Sequence, residues 1–238
     1  MMARQVHKAK AGEDAEAGAA LPIQRSGGLV SEVYDTIFSQ LMALKIAPGS
    51  RVTVDNLARE LGVSQTPIRE ALGRLEAEGL FVKTHLVGYS AAPQIGRKQL
   101  EDLYDLRLLL EVDGARRAVA QLDAQSLKQL TTAAGVMARR TGSGDERARY
   151  SQFAREDAVF HDLILKVAGN ELIRETLAHQ HVHFHIFRLM FHSRVTEEAL
   201  QEHEAIIAAF DRRDADAAAD AMRIHIERSR DRLLPVFE

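Results

Sequence analysis

Cysteine is absent from all 238 residues of the sequence. Neither a disulfide framework nor a thiolate metal site is therefore possible, and a reducing compartment fits this composition. The chain also has no apolar run near the ~20 residues that a membrane helix needs. Its first residues lack the charged-then-apolar layout of a secretory signal. We therefore expect a cytoplasmic protein without a membrane segment.

A strong excess of charge of either sign is absent as well. Lys and Arg number 31 against 34 Asp and Glu, which gives a formal net charge of -3 at pH 7. The overall charge thus gives no sign of a nucleic-acid partner, and such a function has to be argued from the placement of single side chains. With 46% hydrophobic residues, the chain is long enough to bury one large core or two smaller ones, and we expect two domains.

The first segment, residues 1–28, holds few large apolar residues and mixes basic, acidic and small ones without a period. We predict a mobile arm there. Apolar residues then recur at helical spacing from Ser31 to Lys45, and the Pro-Gly pair of "APGS" predicts the end of that helix. A short second helix, "VDNLAREL", is predicted between a Thr53 cap and a Gly62 stop.

The stretch "SQTPIREALGRLEAEGL", from Ser64 to Leu80, has residues typical of a helix start and a helix end, which predict a third helix. The Ser64 hydroxyl is expected to cap the free amides of the first turn, Pro67 falls where a missing amide hydrogen costs little, and Gly79 predicts the end. At 100° per residue, the apolar residues form one arc and a polar arc lies beside it. The apolar arc is Ile68, Ala71, Leu72 and Leu75, and the polar arc is Gln65, Thr66, Arg69 and Gly73.

Two short extended runs follow in "LFVKTHLVGYSAA", with a turn near Gly88. Three helices and a small β-hairpin predict a winged helix-turn-helix over residues 29–95, whose third helix can enter a major groove. Arg69 is then placed to reach guanine or phosphate, Gln65 to pair with an adenine edge, and Gly73 to remove bulk from the contact. The alternative is that these residues only solvate a surface helix. Six basic against seven acidic residues in the segment weaken the electrostatic case for DNA.

The rest of the chain shows no convincing strand pattern, and six helical segments are predicted instead. Asp123, Asn170 and Asp214 are placed as N-caps, and Gly169 as a C-terminal stop. The segments are 98–122, 125–141, 147–168, 171–192, 196–212 and 215–234, with "TGSGDE" as a loop. We therefore predict a mainly α protein in which residues 96–238 form an antiparallel all-α bundle of about six helices.

Three of the predicted helices carry histidine on a face that looks inward. Asp157 and His161 share one such face at i and i+4. His203 lies on a second face and His225 on a third. A buried carboxylate and three buried imidazoles each need a partner, and one divalent metal satisfies all four. The alternative is that each histidine is satisfied separately by a carbonyl or carboxylate. Four further histidines in "HQHVHFH" spread around their helix and are assigned surface or packing roles: His179, His181, His183 and His185.

The segment "IAPGSRVTVDNLARELGVSQTPIREALGRLEAEGLFVKTHLVGYSAAP" resembles the DNA-binding domain of GntR-family bacterial transcription regulators. Its core, "LGVSxTPxREALxxLEAEGL", is long and ungapped. The resemblance implies DNA contacts from the start of the recognition helix, its second-turn arginine and the wing. These residues are Ser64, Gln65, Thr66, Arg69 and Gly88 here. Many relatives carry arginine where this chain has Gln65, and some carry it where this chain has Asp55, so a different operator is expected.

The segments "LYDLRLLLE", "DAVFHDLILKVAGNELI" and "EHEAIIAAFDRRDADAAADAMRIHI" resemble the FadR-type branch of that family, whose ligand-binding bundle is the FCD domain. In many members one Asp and three His at these motif positions hold a divalent metal. The resemblance implies the same for the aspartate and three histidines named above, with zinc, nickel or manganese as the ion. It also implies that Arg107 grips a carboxylate effector, with Arg188 as a second candidate. Pairing of Arg107 with Glu111 one turn on is the alternative.

Together these features predict a ligand-responsive DNA-binding transcription regulator rather than an enzyme. We expect a homodimer that reads a roughly palindromic operator and responds to a small carboxylate metabolite bound at or near the metal. Two alternatives stay open on the same bundle. One is a metal-dependent enzyme in which an open metal position activates water, and the other is a repressor that senses the metal itself.

Overall fold

The structure is a computed structural model that describes residues 27–139, 146–189 and 193–238. Two predictions lie outside the described residues: the arm, apart from its last two positions, and the loop "TGSGDE", apart from its final Glu146. The last two arm positions, Gly27 and Gly28, are already helical.

The N-terminal domain contains three helices and a three-stranded antiparallel sheet of order β1-β3-β2. The helices are α1 (Gly27–Met42), α2 (Val54–Leu61) and α3 (Gln65–Ala77), and the strands are β1 (Arg51–Val52), β2 (Phe81–Thr84) and β3 (Gly88–Ala91). The predicted winged helix-turn-helix is thus confirmed. The sequence did not predict β1, whose two residues are too few to show an alternation.

The predicted end of the first helix at Lys45 was wrong, since α1 stops at Met42. The amides of Lys45 and Ile46 both donate to the carbonyl oxygen of Gln40, and Leu44 takes a left-handed φ of 54°. The helix therefore closes in a tight turn before Pro48 is reached, and no residue type in that turn signals it.

The predicted side-chain caps of α2 and α3 had different outcomes. The Thr53 hydroxyl accepts a hydrogen bond from the Asn56 amide, as predicted. The prediction for Ser64 was wrong, because Ser64 occupies the N-cap position of α3 without a side-chain cap bond. A capping hydroxyl usually accepts from the second or third helical amide, and the third helical residue is Pro67, which has no amide hydrogen.

The C-terminal domain is a bundle of α-helices, as predicted. They are α4 (Arg97–Gln121), α5 (Ala124–Arg139), α6 (Glu146–Ala168), α7 (Glu171–His179), α8 (Val182–Leu189), α9 (Ser193–Asp211) and α10 (Ala215–Leu233). Helix α4 packs against α6 and α10, and α9 packs against α5 and α10. Gly114 permits the close approach of α4 to α6, because a Cβ built on it lies 2.5 Å from Leu165 Cδ2. None of the described helices is long and apolar enough to cross a membrane.

The single helix predicted over 171–192 was wrong, because α7 ends at His179 and α8 begins at Val182. The amides of Gln180 and His181 bond three residues back, to Leu177 and Ala178, and His181 has a φ of 47°. No proline or glycine marks this break. The apolar residues keep their helical spacing across it, and the sequence therefore predicted one continuous helix. Residues 190–192 of the predicted helix lie outside the described residues.

Helix caps in the bundle follow the sequence closely. The side chains of Asp123, Asn170 and Asp214 each accept a hydrogen bond from the amide three residues on. Gly169 follows α6 with a left-handed φ of 78°, which favours glycine. These caps fix where α5, α7 and α10 begin, and α10 is the helix that carries His225.

Candidate functional site

The predicted DNA-contacting residues are all exposed on the N-terminal domain. Ser64, Gln65, Thr66 and Arg69 are exposed at the start of α3, and Gly88 is exposed where β3 begins, with a left-handed φ of 102°. The apolar arc of α3 is buried against α1 and the sheet, as predicted. The polar arc is therefore free to meet a partner.

A chain of hydrogen bonds ties the exposed polar residues to α2. Gln65 Nε2 donates to Asp55 Oδ1 at 2.5 Å, and Arg69 Nη2 donates to Gln65 Oε1 at 3.0 Å. The i to i+4 spacing of Gln65 and Arg69 was readable from sequence, whereas the contact with Asp55 depends on how α2 crosses α3. An exposed hydrogen bond exchanges readily with water, so DNA can replace these partners at small cost.

Gly73 lies on the same face two turns into α3. A Cβ built at Gly73 has no heavy atom within 4 Å, and its backbone is not left-handed. Nothing within the described chain therefore requires glycine at this position. The open space fits the prediction that a partner approaches the helix closely there.

The four predicted metal ligands converge inside the bundle. Asp157 and His161 come from α6, His203 from α9 and His225 from α10, and all four are buried. Asp157 Oδ1 lies 3.3 Å from His203 Nε2 and 3.9 Å from His161 Nε2. The three histidines offer ring nitrogens within 4.8 Å of one another, a spacing compatible with one shared ion.

Two glutamates and two arginines form a second layer around the histidines. Glu111 Oε2 lies 2.5 Å from His161 Nδ1 and Glu111 accepts from Arg107 at 2.6 Å. Glu202 contacts His225 Nδ1 at 2.9 Å and accepts from Arg232 at 2.7 Å. Each of these histidines thus meets a carboxylate that is itself paired with an arginine. Such outer partners fix the tautomer and orientation of metal-binding histidines.

His183 is a further member of the cluster, although the sequence predicted a surface or packing role for it. Its Nδ1 lies 2.8 Å from Asp157 Oδ2, and the centroid of its ring lies 4.7 Å from that of His161, with the two rings tilted by 33°. Only 15% of its side chain is exposed. The break between α7 and α8 turns His183 toward Asp157, and the sequence carried no signal for that break.

Several histidine nitrogens lack a hydrogen-bond partner among the residues that the structure describes. Neither ring nitrogen of His203 has one, although Asp157 Oδ1 is near, because the two are not aligned. His161 Nε2 also lacks one, whereas its Nδ1 lies 2.5 Å from Glu111 Oε2. Buried polar atoms are rarely left in this state. The residues present therefore fit a bound divalent ion, and they fit separate satisfaction of each histidine less well.

Burial sets the protonation states of the cluster. It lowers the pKa of His161 to about 4, against the opposing effect of Glu111, and it lowers the pKa of His203 well below its ordinary value. Burial, the largest single effect, raises the pKa of Asp157, but the hydrogen bond from His183 and the neighbouring His161, His183 and His203 together outweigh it, so the net shift is downward. At neutral pH His161 and His203 are thus neutral imidazoles and Asp157 is an ionised carboxylate, which are the forms that ligate a metal.

The two predicted effector arginines are buried in different places. Arg107 is 2% exposed and bonds to Glu111, as in the alternative interpretation of its spacing, but in a buried rather than a solvated pair. Arg188 is 1% exposed on α8 and donates from Nη2 to the Ala92 carbonyl at 2.6 Å. Its Nε and Nη1 have no hydrogen-bond partner within the described ranges. The structure thus places Arg107 behind the cluster and Arg188 at the junction of the two domains.

Helix α8 touches both the cluster and the N-terminal domain. Beyond the His183 contact, Phe184 packs edge-on against Phe38 of α1 at 5.3 Å between ring centroids. His181, just before α8, packs so close to Gly79 that a Cβ there lies 2.7 Å from its ring. Gln94 Nε2 donates to the carbonyl oxygen of Arg188 at 2.8 Å. One short helix therefore connects the histidine cluster to the winged helix.

Two family descriptions match the chain in sequence. The description "Bacterial regulatory proteins, gntR family" matches residues 29–88, and "FCD domain" matches residues 102–228, more than half of the chain. The chain belongs to the gntR family of bacterial regulatory proteins and carries an FCD domain. Both resemblances predicted from sequence are thereby confirmed.

Individual relatives agree with this assignment. The chain is 24% identical over 209 residues to "Uncharacterized HTH-type transcriptional regulator YdhC" of Bacillus subtilis, over 87% of this chain and 92% of YdhC. It is 26% identical over 198 residues to "HTH-type transcriptional repressor RspR" of Escherichia coli, over 82% of this chain and 85% of RspR. The structure of E. coli McbR/YncC has the same fold, with a TM-score of 0.65, 21% identity, and coverage of 88% of this chain and 99% of that chain.

The relatives also decide between the two classes of protein considered from sequence. Their names are those of transcription regulators, not of enzymes. GntR-family regulators bind DNA operators and usually act as dimers. The chain is accordingly placed among helix-turn-helix transcription regulators with an FCD domain.

Proposed function

We propose that this protein is a ligand-responsive transcription regulator whose operator affinity changes when a small carboxylate metabolite binds at or near a divalent metal in the FCD domain. The convergence of Asp157, His161, His203 and His225, with unpartnered ring nitrogens on two of the histidines, supports this proposal most directly. A metal there supplies a Lewis-acidic centre to which a carboxylate can bind.

The proposed ligand atoms follow from which atoms are already engaged. His225 Nδ1 is hydrogen-bonded to Glu202, so Nε2 is the atom of His225 that we propose binds the metal. Asp157 Oδ2 is hydrogen-bonded to His183, so Oδ1 is the atom of Asp157 that we propose binds the metal. It lies near the Nε2 atoms of His161 and His203. Zinc, nickel and manganese all accept imidazole and carboxylate ligands. With six-coordination, two positions would stay available for water or an effector carboxylate.

DNA recognition is proposed for the exposed face of α3 and the wing. Arg69 and Gln65 are proposed to read bases, Ser64 and Thr66 to contact phosphate oxygens, and Gly88 to let the wing backbone approach the duplex, because all five are exposed. A homodimer with two such surfaces reads two half-sites, so the proposed operator is roughly palindromic.

Coupling between the two sites is proposed to run through α8. An effector that changes how His183 meets Asp157 shifts the helix that also carries Phe184 and Arg188. Those two residues contact α1 and the linker at Ala92, so the orientation of the winged helix is the state that the ligand biases. The proposal needs only about 1–3 kcal/mol of coupling to operate as a switch.

Arg107 and Arg188 stay predictions as effector contacts. For Arg188, two buried guanidinium nitrogens without a partner support an anion-binding role, since a buried charge is costly when unpaired. For Arg107, an effector carboxylate would have to displace Glu111 from a pair in which Arg107 Nε lies 2.6 Å from Glu111 Oε1. Substitution of each by Met, with measurement of effector response and of metal content, separates a role in effector binding from one in holding the cluster.

The proposed function is tested in two steps. Sequences that the purified protein binds are first enriched from a pool of random DNA duplexes, and the affinity of the protein for the most enriched duplex is then measured. We expect an inverted repeat, and a 5- to 150-fold change in its affinity when the metal-loaded protein meets one of lactate, succinate, citrate, benzoate or octanoate. The response should be lost in His203→Ala. Failure to enrich any repeat would contradict operator recognition. A switch driven by metal alone would favour the metal-sensing repressor instead.

A further inference from the structure

A cavity of about 380 Å³ lies between α6 and the α7–α8 pair. Its inner end is formed by Glu111, His161 and His183, and its outer end opens to solvent beside Val159 and Arg174. The walls between these ends are apolar: Ala158, Leu165, Leu177, Ala178, Val182 and Phe184. The cavity thus leads from the surface to the histidine cluster.

His161 connects the cavity to the cluster. Its side chain is 2% exposed, its Nε2 lacks a hydrogen-bond partner within the described chain, and it lines the cavity's inner end. On the side away from the cavity, its ring stacks 5.1 Å from that of His225. A molecule that fills the cavity therefore reaches the polar atoms that the protein itself leaves unsatisfied.

We propose that this cavity binds a small monocarboxylate with an apolar body, such as a medium-chain or aromatic acid. The carboxylate lies at the inner end, by His161 and His183, and the hydrocarbon lies between α6 and α7. This inference rests on the proposed function, because it takes the metal at the cluster as the anchor for the carboxylate.

The charges around the cavity favour one negative charge over two or three. A divalent ion held with Asp157 leaves one net positive charge, because Arg107 and Glu111 neutralise each other. Two other arginines face the cavity, and both are already paired. Arg155 pairs with Asp35, and Arg174 pairs with Glu171 and, at 2.8 Å, with Asp162. A second carboxylate on the ligand would therefore meet apolar walls or displace one of these pairs.

The apolar walls favour length in the ligand. A cavity of this volume is at the small end of ligand sites, which span roughly 300–1,000 Å³. Each additional methylene that leaves water for such walls strengthens binding by about fourfold. Val182 and Phe184 belong to α8, so the same hydrocarbon contacts the helix that also packs on Phe38 of α1. Binding is thereby coupled to the winged helix.

The test is isothermal titration of the zinc-loaded full-length protein with octanoate, butanoate and succinate. We expect octanoate to bind at least tenfold more tightly than either shorter acid. Ala178→Phe, which fills the cavity from α7, should weaken octanoate at least tenfold. The matched control is Ala221→Phe on α10, which lies outside the cavity and should leave octanoate binding unchanged. Ala158→Phe, on the opposite wall, repeats the test if Ala178→Phe does not fold.

Zinc content, measured on the same samples, separates the two proposals. A protein that holds zinc and selects an operator but binds no octanoate, or binds succinate as tightly, overturns the inference and leaves the proposed function standing. Equal octanoate affinity in Ala178→Phe and Ala158→Phe overturns the location. Equal octanoate affinity after zinc removal overturns the metal as anchor. A protein that takes up no zinc, nickel or manganese overturns the proposed metal site as well.

Discussion

The exposed face of α3 and the buried histidine cluster use similar side chains under opposite conditions. There an amide and an arginine of α3 form a hydrogen-bonded chain with an acid of α2 in water, where each link contributes little and is easily exchanged. In the bundle, histidines, glutamates and arginines are buried, where an unpaired member is costly. The first surface is complete without its partner and adaptable to it. The second lacks partners for several nitrogens, and a bound ion would supply them.

Removing one member of the buried layer should have the largest effect on stability. Glu111→Ala leaves Arg107 buried without its carboxylate and removes the neighbour of His161 Nδ1. We expect a loss of about 3–5 kcal/mol in the free energy of unfolding, measured by urea denaturation. The double variant Arg107→Met with Glu111→Leu should regain most of that loss. A single variant as stable as the parent would contradict the importance of the buried pair.

Acidification should destabilise the metal-free protein through the buried histidines. The pKa of His161 is lowered to about 4 by burial, against about 6.5 when unfolded, so the folded state prefers the neutral ring. This contribution is complete above pH 6.5 and is lost as the pH falls toward 4, by at most about 3 kcal/mol. Urea unfolding of the chelated protein at pH 7 and pH 4.5 measures it. In His161→Gln the free energy of unfolding should depend less on pH. An equal pH dependence in this variant and the parent would contradict the assignment of the effect to His161.

Truncation on the exposed surface should affect DNA binding and leave folding intact. Arg69→Ala should weaken operator binding by about 1–3 kcal/mol if Arg69 makes a good base contact, and Gln65→Ala should relax preference at one base pair per half-site. Arg74→Ala, another exposed arginine of α3, paired with Glu70, is the control for charge alone. Unchanged affinity in both test variants, with intact folding, would refute the recognition surface.

Removing the acid at the end of the exposed chain should have the smallest effect, and of opposite sign. Asp55 holds Gln65 and places a negative charge beside the proposed phosphate path. Asp55→Asn keeps the side-chain shape while removing that charge, so operator affinity should rise by about 1 kcal/mol or less. The measurement is a salt titration of operator binding. A fall in affinity would show that the carboxylate orients Gln65 for reading.

The two regions also differed in how much the sequence predicted. The faces of α3, α6, α9 and α10 follow from a 3.6-residue period, so the exposed arc and the clustering of Asp157, His161, His203 and His225 were predictable. Glu202 lies next to His203 in sequence but reaches His225 on another helix, and Glu111 meets His161 across α4 and α6. Such contacts depend on helix crossings that no local pattern encodes. The place of His183 in the cluster depends on the break between α7 and α8, which no proline or glycine marks in the sequence.

The central claim is that Asp157, His161, His203 and His225 together hold one divalent ion. Its most direct test is calorimetric titration of zinc, nickel and manganese into chelator-treated protein at neutral pH, beside His203→Ala and the exposed control His179→Ala. We expect one ion per chain in the parent and in His179→Ala, with a higher melting temperature on metal loading, and no bound ion in His203→Ala. A parent that binds no ion, or His203→Ala that binds as the parent does, would contradict it.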